Sequence, residues 1–179
     1  MASDLEDRLN PTPQKEAMIS YIFRKLKKIV TIRDDTEETR DVQVFIAIRK
    51  AFAKEDLPFL RYALFNQYFG RLNSDNLRET AEKFSEGKKI IEEQLNYPGR
   101  FKIFEFVKRQ IPPFLILEDV LEKYNSGSRE LIHAPEEFAN IITETCSARY
   151  TNISSKVRRA IIRSIIFILL SKSFLALTV

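Results

Sequence analysis

The chain has no tryptophan, one cysteine, one histidine and only four glycines in 179 residues, and each scarcity removes a class of chemistry. Cys146, alone, cannot close an internal disulfide. The first residues (MASDLEDRLNPTPQ) are polar and acidic, without the apolar stretch of a secretory leader. A reducing compartment, the cytoplasm, is therefore the expected location. A sole histidine, His133, excludes zinc sites that need two or more His and the paired Glu-x-x-His of di-iron bundles. A Cys146–His133 nucleophile and base pair is not expected, because a helix start separates them and no third group orients them. Cys146 reads as an inert small hydrophobe, and His133, beside Ala134-Pro135, as a residue leading into a helix.

The four glycines (Gly70, Gly87, Gly99, Gly127) stand isolated, so the glycine loops that cradle phosphates or present a nucleophilic serine are absent. Acid pairs such as Asp34-Asp35, Glu92-Glu93 and Glu136-Glu137 are adjacent in sequence; on a helix they diverge by about 100° and cannot face one substrate together. The segment RDDTEETRD lacks the alternating pattern of a calcium loop. No catalytic residue, cofactor or metal site is expected. Only carboxylates brought together from separate helices would escape this reading.

What is present is apolar surface in helical register. With 44% hydrophobic and 30% charged residues, the chain can bury a core and is too apolar to be disordered. Its few Gly and Pro punctuate long uninterrupted segments, which predicts an all-α fold: a single globular domain of about eight helices with a long apolar C-terminal helix. A polar tail (1–12) should precede a helical domain (13–150), with 151–179 a basic-then-apolar helix packed in the same domain.

Thr12-Pro13 starts one helix, with Met18, Ile22, Leu26, Ile29 and Val30 as its stripe. Thr36 starts the next, with Val42, Phe45, Ile48 and Phe52 behind it. Asp56 caps a third, closed by Gly70 and nearly encircled by aromatics at 59, 62, 65, 68 and 69. From Ser74, Leu77, Ala81, Phe84, Ile91 and Leu95 mark an amphipathic surface helix. Residues 101–111 fit neither period and are taken as helix from context; 114–124 is helical. Pro135 opens a penultimate helix that should turn at Tyr150-Thr151-Asn152.

Charge is distributed unevenly. Five of the 29 Lys and Arg, and none of the 25 Asp and Glu, lie in 151–179; over 1–150 the two signs nearly balance. Lys156, Arg158, Arg159 and Arg163 are thus the candidate contact with an anionic surface. Directly after them, Ile165, Ile166, Phe167, Ile168, Leu169, Leu170 and Phe174 form the candidate apolar interface, and Ile165, Phe167, Ile168, Leu169 and Phe174 are expected at the centre of burial.

Three environments would suit this stretch. Packing in the core or against a protein partner, which includes the chain's own oligomer, is favoured. A bilayer comes second, since Lys172 near the middle of a span costs about 2.5–3.5 kcal/mol; it would hold the domain at the cytoplasmic face of a membrane. A helix-turn-helix over SARYTNISSKVRRAI, with Arg158 and Arg159 facing DNA, comes last because the usual glycine turn is missing, so nucleic acid is disfavoured as a partner. The function expected is a non-enzymatic protein–protein interaction or scaffold domain; the alternative is a membrane-attached regulatory domain.

Overall fold

The computed structural model describes residue 9 and residues 12–32, 35–124 and 134–178, with 124 and 175–178 as backbone only. Among the described residues there are seven α-helices and no strand: α1 (Pro13–Leu26), α2 (Glu37–Ile48), α3 (Leu57–Phe69), α4 (Leu77–Leu95), α5 (Arg100–Gln110), α6 (Pro112–Tyr124) and α7 (Pro135–Thr178). The fold is all-α. His133 lies outside the described residues. The chain divides into two compact units, 1–115 and 116–179, so the division falls inside α6.

Local signals set most helix ends. The Thr36 hydroxyl accepts from the Thr39 backbone N–H at 3.1 Å, and the Asp56 carboxylate from that of Phe59 at 3.3 Å; such caps satisfy amides left without partners in the first turn. Gly70 closes α3 with φ +75°, a conformation that penalises any Cβ. Where Ser74 was the predicted start of α4, Asn73 and Asn76 instead form the turn: each accepts from the other's backbone N–H at 2.9 Å, and the helix begins at Leu77.

In the first unit α2 is central and packs against α1, α4 and α5. It buries Gln43, Val44, Ile46, Ala47 and Ile48, and Ile46 joins Leu60 and Leu64 of α3 and Ile91 and Leu95 of α4 in one cluster. Each such aliphatic side chain removed from water contributes about 1.5–3 kcal/mol. Gln43 is the polar exception. Its amide donates to the Gln94 carbonyl at 2.8 Å and side chain at 2.9 Å, which satisfies a group that would otherwise destabilise the core.

Two helices differ from their predicted faces, and a third had none predicted. In α4 the buried positions are Thr80, Gly87, Ile91 and Leu95, whereas Leu77, Ala81 and Phe84 are exposed. The stripe turns toward Gly87 because Phe69 lies there: a Cβ at 87 would meet Phe69 Cζ at 2.2 Å. In α3 the deep residues are Leu60, Ala63 and Leu64, and the aromatics form a rim, with Phe65 and Phe69 centroids 4.9 Å apart and Tyr68 half exposed. Segment 101–111 is helical, and its unclear period is explained by how little it buries: Val107 and Ile111 fully, while Phe101 is exposed.

In the second unit α6 and the start of α7 pack together. Val120 and Ile141 are buried with Phe138 and Ile142 against them, and Asp119–Arg149 (2.8 Å) and Lys123–Glu144 (3.2 Å) pair at the edge. The turn predicted at Tyr150-Thr151-Asn152 does not form. α7 runs unbroken for 44 residues, about 66 Å at 1.5 Å per residue. No Gly or Pro interrupts it after Pro135. Thr151 and Ser155 turn their hydroxyls onto the Ser147 and Asn152 carbonyls at 2.8 Å, a bond that a helix interior accommodates.

Candidate docking helix

The distal half of α7 departs furthest from expectation. Ile165, Phe167, Ile168, Leu169 and Phe174, predicted at the centre of burial, are exposed, and so are Ile166 and Leu170 of the candidate interface, Phe167 at 72% and Leu170 at 66%. From Tyr150 to Leu170 every residue is exposed. The physical reason is the missing turn: without a break at 150–152, the helix cannot double back, and its apolar residues continue beyond the packed stretch that ends near Arg149.

At 100° per residue, Ile161, Ile165, Ile168 and Leu169 share one side of this segment, and Ile166, Phe167, Leu170 and Phe174 the other. The segment is apolar all round, a pattern that otherwise belongs to fully buried helices. Each side carries one cation, Lys172 with the first group and Arg163 with the second. Upstream, Lys156, Arg158 and Arg159 are likewise exposed, and no acid follows Glu144. All four candidate anion-contact residues thus lie within two turns on one helix, adjoining the apolar residues. Over 164–171 eight residues run without a charge, about 12 Å. Among the described residues no helix is long and apolar enough to cross a membrane. Nor is there a helix-turn-helix, because the segment assigned to its turn lies inside α7. Cys146 is half buried in the same helix.

A second feature was not legible in the sequence. After α2 the backbone widens into a π-turn, Arg49–Ala53, closed by Lys54 in the left-handed conformation (φ +59°). This places the Arg49 guanidinium between two acids from different elements, 2.6 Å from Glu16 of α1 and 2.7 Å from Glu55, while it also stacks 4.9 Å over the Phe45 ring. Lys15 donates to the Ala53 carbonyl at 3.1 Å. Two acids from separate segments, Glu16 on α1 and Glu55 in the connection before α3, converge here on one cation. Glu55 Oε2 and Arg49 Nε are buried without a protein partner. Burial pushes the Glu55 carboxyl above its ordinary value, against the downward pull of Arg49. The network borders a cleft of about 600 Å³ that Phe59, Tyr62 and Asn66 of α3 also line. It straps α1 and the start of α3 to the π-turn. Among the described residues no group of three His, Cys, Asp or Glu could hold a metal ion.

Comparison with known protein families, curated proteins and solved structures finds no match. What fold and site define is therefore a class: an all-α protein that carries a long helix, packed at its start and apolar and uncovered over its distal half.

Proposed function

We propose that the protein is a non-enzymatic docking module of the cytoplasm, and that α7 from Lys156 onward is the element that engages the partner. One observation carries this reading: the most apolar stretch of the chain is exposed on every side. About 25 cal/mol is gained for each Å² of such surface removed from water, and contiguous apolar surface of this kind marks an interaction site. The polar strap at Arg49 serves the fold, since it ties α1 and the segment before α3 to the π-turn. An interaction or scaffold role for the apolar helix was the sequence-based expectation; the partner now has to cover the distal helix itself.

The test compares the intact chain with one ending at Tyr150. If the distal helix docks elsewhere, the shortened chain retains the same cooperative unfolding transition, while the association of the intact chain, read as oligomer mass or binding to lipid, disappears. Unfolding of the shortened chain would instead make the distal helix part of the core and remove the proposal. So would an intact chain that stays monomeric and binds no lipid.

A further inference from the structure

Resting on that docking reading, we infer that the distal half of α7 binds an anionic lipid surface, with Lys156, Arg158, Arg159 and Arg163 at the head groups and the apolar side chains between Ile161 and Leu170 in the acyl region. Three observations select a lipid surface over a protein groove or a second copy of the chain.

The first is coverage. A groove receives one stripe of a docked helix, typically positions spaced i, i+3, i+4 and i+7, and leaves the opposite side wet. Here Ile161, Ile165 and Ile168 on one side and Ile166, Phe167 and Leu170 on the other are each about half exposed or more. Acyl chains surround a helix and cover both sides at once.

The second is charge. Residues 151–179 contain five cations and no acid, so two copies of this helix aligned with one another would bring like charges together. Cations next to an apolar segment are what an anionic leaflet attracts, at about 1 kcal/mol, or fivefold in binding, per Lys or Arg near the surface.

The third is length. The run from Ile161 to Leu170 spans about 15 Å, half of a hydrocarbon core of about 30 Å, and Lys172 follows it. Arg163 and Lys172, on opposite sides, both lean toward the helix N-terminus, and their long stems reach back toward the head groups from a helix that enters obliquely. Depth is therefore confined to one leaflet, in keeping with the lack of a membrane-crossing helix among the described residues.

Flotation of the intact chain with vesicles tests the inference, using phosphatidylcholine alone and phosphatidylcholine with phosphatidylserine at three to one. The chain should float with the anionic vesicles and much less with the neutral ones, and rising salt should release it as screening shortens the reach of the charges. Arg158→Ala with Arg159→Ala should weaken binding about 25-fold, two cations at about fivefold each. Phe167→Ser with Ile168→Ser should abolish binding with the helical circular dichroism unchanged.

Two results overturn the inference: no flotation with either vesicle, or flotation indifferent to the arginine pair. Light scattering then decides what else fails. A concentration-dependent oligomer that Phe167→Ser with Ile168→Ser turns into monomer keeps the docking reading and replaces lipid by a second copy. A monomer that neither floats nor assembles removes both.

Discussion

The two halves of α7 belong to one helix and meet opposite fates. Over 135–149 the helix is only moderately apolar, yet Ile141 is buried and Phe138 and Ile142 are half buried, because α6 offers Val120 to pack on and Asp119 and Lys123 to pair with. Over 156–174 the helix is far more apolar, yet every described side chain but Ser171 is exposed. Hydrophobicity sets how much free energy burial can release; a covering surface within the chain decides whether it is released there. The proximal half has one. The distal half has none among the described residues of its own unit.

The comparison breaks most readily at the core, where the largest effect is expected. Ile48→Ala in α2, at a fully buried position, should lower stability by about 3 kcal/mol through lost transfer energy and a cavity. Ile166→Ala in the distal helix should stay within about 0.5 kcal/mol. Urea unfolding of the two variants measures the contrast, and similar losses would show that the distal helix is packed after all.

Next in size, Ile141→Ala should cost about 2 kcal/mol locally and release the proximal half of α7. Amide hydrogen exchange should quicken between Phe138 and Arg149 and change little beyond Lys156, where the side chains are exposed up to Leu170.

Gly87→Ala sets helix propensity against packing. Alanine favours the helix by about 1 kcal/mol, but its Cβ would press on the Phe69 ring, and overpacking typically costs about 1–3 kcal/mol. A net loss of about 1 kcal/mol is expected, with Phe69→Leu in the same chain recovering part of it. A gain in stability from Gly87→Ala alone would mean that Phe69 moves aside freely.

The smallest effect sharpens the view of the polar strap. The folded-state pKa of Glu55 is raised, so the folded state holds this proton more tightly than the unfolded one. Its contribution is fully present below the ordinary carboxylate pKa and is lost as pH rises through the folded value. Stability should therefore decline over the interval just above the usual carboxylate range, and Glu55→Gln should flatten that decline. A slope unchanged in the Glu55→Gln variant would place its origin in another group.

Much of this molecule was legible in the sequence, for identifiable reasons. Thr36, Asp56, Gly70 and Pro135 act within one turn of where they stand, so they marked helix ends correctly. The stripe of Met18, Ile22 and Leu26 depends only on helical period, and all three are buried; Ile29, just past the helix, is exposed. The stripe of α4 was misjudged because its face is chosen by Phe69, a residue of another helix. The Arg49 strap left no trace, since its three charges are 33 and 6 residues apart and meet only through a π-turn that composition does not announce.

For the candidate docking helix, the sequence by itself determined the chemistry: five cations, no acid and a dense apolar stretch on one continuous helical segment, set by residue identity and by the lack of any breaker after Pro135. Only the tertiary structure decided where that chemistry is displayed. Helix period and capping are local, so a sequence can specify them alone. Burial is a relation between two surfaces, and for the distal half of α7 the described residues of its own unit supply none.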